Sequence, residues 1–511
     1  MARLPLSSSQ LRRPPRTRNR SLQDFAPWPL AHPWLRPPLP RLKTALSRRI
    51  LSRASSHLHP TTRNRQFALL PLEEVTIARM SPLTRLSRRA LSVLCLLLFL
   101  LTTAPHSLSY SVLSHEEVVD LVWADSIRPW LMQRFPNASR EDLRRAHAFA
   151  YGGCLIQDMG YYPFGNKRFS DLTHYVRSGY FVESLFAEAS DLNEFSFALG
   201  ALAHYASDLN GHPYINRAVA VRFPKLRKKY GDSVTYEDDP KAHIRTEFGF
   251  DVTQVAKNRF ASDRYHDFIG FEVATPLLER AFKRTYGIPL TDLIHNEDLA
   301  IGTYRRGISK VIPEMTKVAL LIKPADLVQE KHDRNQKRFL YHVSRSYYER
   351  EWGSQYRRPG FGARFLAFLF HLIPKFGPFR AVDFVLPNTQ TEDMYLKSMD
   401  VTLANYRRLI EEVKAGNLQL HDRDFDTGEA TRAGEYKLTD KTYAALLDGL
   451  ARRHFDGVTP DLRDNILAFY SNLNAPIATK KQRKEWARTL AELQQLKGVQ
   501  VVAVPAPLPS D

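Results

Sequence analysis

The chain has 511 residues, of which 43% are hydrophobic and 25% are charged, a composition that suits a folded protein with a large core. Lys and Arg outnumber Asp and Glu by 73 to 54, for a formal net charge of +19. Residues 1–79 hold 15 basic and 3 acidic residues, and residues 80–109 add three more arginines, so about +4 is left for residues 110–511. The basic excess is therefore no evidence for nucleic-acid binding by the rest of the chain.

Residues 1–79 do not have the sequence of a folded domain. They are rich in Pro, Ser and Arg, as in RRPPRTRNR and HPWLRPPLPRL, and they show no sustained hydrophobic periodicity. We predict a disordered extension. We interpret it as the product of a misassigned translation start, because the next segment, which opens at Met80, has the layout of a true N-terminus.

Residues 80–109 have the layout of a secretory signal peptide. A basic stretch, SPLTRLSRRA, precedes the apolar core LSVLCLLLFLLTTA, which is shorter than a typical membrane span, and small residues stand at Ser107 and Ser109. The pattern predicts cleavage after Ser109 and export, to the periplasm or out of the cell, of a chain that begins at Tyr110. The alternative is an uncleaved membrane anchor. Cleavage would remove Cys95 and leave Cys154 alone, so the exported chain would have no internal disulfide.

The segment FALGALAHYASDLNGH carries His204, Asp208 and His212, each four residues apart. On an α-helix this spacing places the three side chains on one face. Their surroundings are apolar, so the two imidazoles and the carboxylate need compensation, which a bound cation would supply. The alternative is a pair of core histidines bonded to a carboxylate.

Flanking residues predict where this helix begins and ends. Asp191 followed by Glu194 is typical of an N-cap with a reciprocal capping partner. Gly211 and Pro213 predict an end near His212.

Further ligand-type residues lie on both sides of this segment. His243 and Glu247 repeat the four-residue spacing, and we expect them on a second helix that faces the first across the metals. Upstream stand His115, Asp158 and His174. Imidazole and carboxylate ligands together suit zinc.

On these residues, the region from Tyr110 to about Asp251 resembles the zinc-dependent phospholipase C superfamily. This group includes bacterial phospholipases C, glycosylphosphatidylinositol-specific phospholipases D and fungal single-strand-specific nucleases. The resemblance implies an all-α fold that binds three zinc ions, one of them through the N-terminus of the mature chain. The implied ligands are Asp158, His174, His204 and Asp208 for the first zinc, His212, His243 and Glu247 for the second, and Tyr110 (amino group and carbonyl), His115 and again Asp208 for the third.

Two features depart from the family pattern. Tyr110 stands where the family often has Trp, which matters little because main-chain atoms bind the metal. The gap from Asp208 to His212 is shorter than in the bacterial phospholipases and the nucleases, and it is similar to that of the glycosylphosphatidylinositol-cleaving branch.

The resemblance also implies roles around the metals. Asp158 is the candidate to orient the attacking water or to accept its proton. The aromatic residues Tyr161, Tyr162 and Phe164 are candidates for a wall of the substrate site, with an ordinary place in the core as the alternative. His147 does not fall on a family ligand position and is expected to be an ordinary helix histidine.

The sequence therefore predicts a phospholipase C-like domain over residues 110–330 and a C-terminal helical extension over residues 331–511. The predicted function is hydrolysis of phosphodiesters in phospholipid, with a phospholipid or membrane surface as the partner, no nucleic acid, and no protein partner that the sequence identifies. Two alternatives stay open: a zinc-dependent nuclease or nucleotidase that uses the same three metals, and a non-catalytic module that zinc only stabilises.

Overall fold

Helices provide the secondary structure of the computed structural model, which describes residues 112–256, 271–308 and 385–500. No strand occurs in these three ranges, and the only bridge within them joins Arg423 to Ala430. The predicted all-α fold is confirmed. The extension over residues 1–79, the signal peptide, Tyr110 and the proposed boundary at residue 330 all lie outside the described residues.

The first described ranges contain the predicted metal-binding half of the chain. Its helices are α1 (Val112–Val122), α2 (Arg128–Arg134), α3 (Arg140–Ile156), α4 (Lys167–Tyr175), α5 (Ser178–Glu188), α6 (Leu192–Arg222), α7 (Pro224–Tyr230), α8 (Pro240–Ala256), α9 (Thr275–Tyr286) and α10 (Glu297–Arg306). A π-helical segment, Trp123–Ile127, joins α1 to α2, and a 3₁₀ turn, Met159–Tyr161, follows α3.

The last described range continues the helical fold. It contains α11 (Thr389–Lys414), α12 (Lys437–Arg452), α13 (Pro460–Phe469) and α14 (Arg483–Gly498). Helix α11 packs on α6 and α1, and α12 packs on α4. One hydrophobic core includes buried residues from both halves, from Val112 to Leu496. The described part of the C-terminal segment is therefore packed into the same core as the metal-binding half.

Helix α6 is the central element of this fold. It has 31 residues and packs on α3, α5, α8 and α11. Residues 195–208 are all buried: Ala, Gly, Leu and Phe make most of this stretch apolar, and neighbouring helices cover it. The predicted N-cap is confirmed, since the Asp191 carboxylate accepts from the backbone N–H of Asn193 and Glu194 at 2.8 Å each. The Glu194 carboxylate accepts hydrogen bonds from the N–H and the hydroxyl of Ser190, whereas a reciprocal cap would take one from the N–H of Asp191.

The predicted end of α6 near His212 is wrong, because the helix continues through Pro213 to Arg222. Proline has no N–H and removes the bond to the Leu209 carbonyl, which ordinarily costs about 3 kcal/mol. Tertiary packing outweighs this loss: Ile215 and Val219, beyond the proline, are buried. Gly428 packs against α6 beside Pro213. A Cβ atom on Gly428 would lie 2.9 Å from the carbonyl oxygen of Leu209.

Gly200 lets α3 approach α6 backbone to backbone. A Cβ atom at this position would lie 1.9 Å from the carbonyl oxygen of Ala150 and 2.8 Å from the N atom of Cys154. One turn further along α6, His204 Nδ1 donates to the Cys154 carbonyl at 2.9 Å. The close helix contact therefore also fixes the orientation of one predicted metal ligand.

We expect Gly200→Ala to destabilise the protein by about 2–3 kcal/mol or more, because the methyl group forces two backbones apart. Gly302→Ala is the matched control, since a Cβ on this exposed helical residue meets nothing within 4 Å. It should be neutral or stabilise by roughly 0.5–1 kcal/mol. The free energy of unfolding in denaturant decides, and equal values for the two variants would contradict the backbone contact.

Candidate metal centre

The structure brings together all eight predicted side-chain ligands that it describes. They come from α1 (His115), the turn after α3 (Asp158), α4 (His174), α6 (His204, Asp208 and His212) and α8 (His243 and Glu247). Each is at most 2% exposed. Five separate elements therefore direct ionisable side chains into one buried volume.

The predicted first-zinc ligands form the tightest group. His204 Nε2 lies 3.1 Å from Asp208 Oδ2, and His174 Nε2 lies 3.4 Å from the same oxygen and 3.4 Å from His204 Nε2. Asp158 Oδ1 is 3.3 Å from His174 Nε2. Donor atoms that bind one zinc ion tetrahedrally at about 2.0–2.1 Å stand about 3.4 Å from one another. The spacing of this group matches that requirement.

Hydrogen bonds fix which ring nitrogens face the centre. His204 Nδ1 bonds to the Cys154 carbonyl, and His174 Nδ1 bonds to the Ser170 carbonyl at 2.7 Å. A carbonyl only accepts, so both Nδ1 atoms carry hydrogen and the neutral rings present Nε2 lone pairs. Two lone pairs and two carboxylates then converge, which is unfavourable unless a cation lies among them. Zinc ligands in proteins have this same outer arrangement.

The pKa of His174 expresses the same need for positive charge. Burial lowers it, but the hydrogen bonds to Asp158 and Asp208 outweigh burial and raise the pKa to about 10. A proton on this ring therefore stabilises the group in the absence of metal.

The predicted second-zinc ligands meet at the carboxylate of Glu247. His243 Nδ1 lies 3.2 Å and His212 Nε2 3.7 Å from Glu247 Oε1. His243 Nε2 is 2.9 Å from Asn216 Oδ1, which leaves Nδ1 to face Glu247. Both Glu247 oxygens lie buried without a hydrogen bond from the described residues, and burial raises the pKa of this carboxyl well above its usual range. A cation beside Glu247 would remove this cost.

Helix α1 carries His115, a predicted ligand of the third zinc together with Asp208. His115 Nε2 is 3.4 Å from Asp208 Oδ1, and its ring stacks on His204 with centroids 4.3 Å apart. The start of α1 is anchored, because Asp251 accepts a backbone hydrogen bond from Leu113 and Ser114 Oγ lies 2.7 Å from the Tyr395 hydroxyl. Asp158 also groups with His115 and His204 at distances that could hold an ion.

Asp208 lies between these groups. Its Oδ2 faces His174 and His204, whereas its Oδ1 faces His115 and, at 3.7 Å, His212. The two oxygens of one carboxylate thus contact different sets of imidazoles. That geometry is compatible with the predicted bridging role.

A small cavity opens beside the second group. Its lining consists of Tyr161, His174, Tyr175, His212, Tyr236, His243 and Asp426. Of the three predicted substrate-site aromatics, Tyr161 is in this lining. Tyr162 packs in the core against Tyr304, with ring centroids 4.3 Å apart, and Phe164 is 58% exposed. His147 lies outside the ligand cluster, stacked on Trp123 and 2.9 Å from Asp120.

Sequence reasoning missed the contribution of Asp426, which lies in the loop between α11 and α12. Its Oδ1 is 3.3 Å from His212 Nδ1. The next residue upstream, Phe425, donates its N–H to the His174 carbonyl at 3.2 Å and packs its ring on that histidine. The local sequence DFDTGE is typical of a surface turn, so no signal within it pointed to the metal centre.

Together these observations define a helical protein with a buried histidine–carboxylate centre suited to zinc. The family model described as zinc dependent phospholipase C matches residues 114–296, which include all eight described ligands. This part of the chain is a zinc-dependent phospholipase C family domain. No curated protein matches the chain, and no solved structure does.

The central place of Asp208 generates a prediction about metal content. Asp208→Asn should lose more zinc than Glu247→Gln, because Asp208 contacts three groups of ligands and Glu247 only one. Elemental analysis of the purified variants, with circular dichroism as the control for folding, measures the difference. An Asp208→Asn protein that retains the wild-type amount of zinc would show that Asp208 does not bridge.

Proposed function

We propose that this protein is an exported, zinc-dependent phosphodiester hydrolase that acts on phospholipid. The observation that carries the proposal is the convergence of buried imidazoles and carboxylates, within a zinc-dependent phospholipase C family domain, beside an aromatic cavity. A module that zinc only stabilises would need a single closed site, whereas these ligands are numerous enough for several ions and adjoin an open cavity.

The residues present fit zinc, as the donor spacing and the oriented ring nitrogens indicate. His174, His204, Asp158 and Asp208 would hold the first ion, His212, His243 and Glu247 the second, and His115, Asp208 and the main chain of Tyr110 the third. Zinc bound there makes a nucleophile available from water near neutral pH and neutralises charge on phosphoryl oxygens and the leaving alkoxide.

Asp158 is the proposed catalytic carboxylate. Asp158 is buried and its Oδ1 lies 3.3 Å from His174 Nε2, whereas its Oδ2 accepts no hydrogen bond from the described residues. A carboxylate with this unused accepting capacity is suited to orient a water molecule or take its proton. The Ser170 carbonyl fixes His174 and so limits how the two side chains can rearrange.

The aromatic residues beside the ligands favour a phospholipid headgroup as the substrate. Tyr161, Tyr175 and Tyr236 line the cavity together with the ligands His174, His212 and His243. Aromatic faces attract a choline-like cation, and the adjoining metals would receive the phosphate. The sequence from residue 110 onward has little net charge, which favours lipid over nucleic acid, whose backbone is usually bound by many Lys and Arg side chains. Among the helices that the structure describes, none is long and apolar enough to cross a membrane.

The substrate class is tested by offering several phosphodiesters side by side. We expect phosphatidylcholine or phosphatidylinositol in detergent micelles to be cleaved faster than single-stranded DNA or RNA. Activity should vanish with a chelator and return with zinc. A preparation that degrades DNA and leaves every phospholipid intact would overturn the phospholipid assignment and favour the nuclease.

Export and metal binding are linked through Tyr110. A free amino group at this residue requires cleavage after Ser109, and a preceding peptide bond would remove its basicity. We therefore expect N-terminal sequencing of the exported protein to begin at Tyr110. A cytosolic version with an added Met-Ala before Tyr110 should bind less zinc and turn over more slowly, with unchanged helical content. Equal zinc content and activity in the two proteins would reduce the centre to two metals.

A further inference from the structure

Asp426 is buried, at 3% exposure, and makes a distinct set of contacts at the edge of the metal centre. Its Oδ1 lies 3.3 Å from His212 Nδ1, the ring nitrogen that faces away from Glu247. Its Oδ2 accepts from the hydroxyl of Tyr175 at 3.0 Å and from the hydroxyl of Tyr436. The two phenols fix the carboxylate, and the carboxylate in turn faces the histidine.

A second path runs from the main chain of the same residue to the other histidine of this group. Asn216 Nδ2 donates to the Asp426 carbonyl at 2.6 Å. This bond sets the orientation of the amide, so Asn216 Oδ1 accepts from His243 Nε2 at 2.9 Å. With hydrogen on Nε2, neutral His243 presents its Nδ1 lone pair to Glu247. Asp426 thus reaches both histidines, directly in one case and through Asn216 in the other.

The loop that carries Asp426 has other anchors. Asp424 Oδ2 accepts from Thr439 Oγ1 at 2.6 Å, and the Phe425 N–H donates to the His174 carbonyl. Gly428 packs on α6 beside Pro213. These contacts attach the loop to the helices on either side of Asp426. The Asp426 carboxylate is therefore not needed to hold the loop in place and can orient other side chains.

We propose that Asp426 is a positioning residue for the second zinc, which orients His212 and, through Asn216, His243. A carboxylate on the outer nitrogen of a metal-bound imidazole fixes the tautomer and makes the inner nitrogen a stronger ligand. The C-terminal segment therefore completes a metal site whose ligands all lie in the family domain. This inference rests on the metal centre of the proposed function but is independent of the substrate.

Zinc binding to the full-length exported chain tests this role without reference to activity. Asp426→Ala should weaken binding of one zinc ion by about 10–100-fold and leave the remaining ions unchanged. Asp426→Asn, which keeps the shape and one accepting oxygen, should cause a smaller loss in the same ion. Equilibration in buffers of graded free Zn²⁺ gives the affinities. Co²⁺ substitution adds a visible spectrum, summed over the sites that Co²⁺ occupies, and this spectrum should change in both variants.

Asp422→Asn is the matched control in the same loop. Asp422 accepts hydrogen bonds from the Tyr180 N–H and from the Asn465 side chain, both at 3.3 Å. The substitution makes the same chemical change as Asp426→Asn, but away from the proposed ligands. Its zinc affinities and Co²⁺ spectrum should equal those of the wild type. Wild-type affinities in Asp426→Ala, or equal losses in Asp426→Asn and Asp422→Asn, would overturn the positioning role.

Three further outcomes can be distinguished. If Asp426→Ala fails to fold, Asp426→Asn decides, and a wild-type zinc isotherm and Co²⁺ spectrum in that variant overturn the proposal. If phospholipids are not cleaved but Asp426→Ala loses one zinc selectively, the substrate assignment fails and the positioning role stands. A wild-type protein that binds no zinc would overturn both.

Discussion

The structure depends on one constraint, the burial of an ionised carboxylate, Asp208, inside a helical core. Burial by itself raises the pKa of this carboxyl. When the surrounding rings hold protons in place of metal, the charges of His204 and His212 and hydrogen bonds from His174 and His204 outweigh burial and hold the pKa well below its usual range. A buried charge of this kind is stable only when it is compensated from several directions. Four imidazoles from three helices surround the carboxylate and would hold the protons or metal ions that compensate it, and the helices must stay packed for them to do so.

The same constraint explains why the C-terminal segment is packed so closely on the centre. The family domain ends near residue 296, yet Phe425 and Asp426 contact its histidines, and the Tyr406 hydroxyl donates to the Leu199 carbonyl of α6 at 2.9 Å. Phe425 and Asp426 of this segment cover one side of the ligands, which are at most 2% exposed. Residues 385–500 therefore belong to the environment of the metal centre, and a description limited to the matched domain would omit part of it.

The positions of several predicted ligands followed from the sequence, because residues four apart lie on the same face of a helix. The four-residue steps from His204 to His212 and from His243 to Glu247 placed their side chains correctly on α6 and α8. The end of α6 did not follow, since the packing that carries the helix past Pro213 is not local. The aromatic run did not reveal which ring faces the core: Tyr162 takes the core position that was its alternative, and Tyr161 lines the cavity. Asp426 was missed because 210 positions separate it from Asn216, and nothing in its own neighbourhood marks that contact.

The central claim is that these buried side chains are ligands of several zinc ions. Crystals of the zinc-loaded protein, measured on both sides of the zinc absorption edge, test it most directly through anomalous difference maps. The account predicts separate peaks among His174, His204 and Asp208, beside Glu247, and between His115 and Asp208. Maps without a peak among these residues, from a well-folded protein grown in excess zinc, would contradict the account and leave a core of hydrogen-bonded histidines and carboxylates in place of a metal centre.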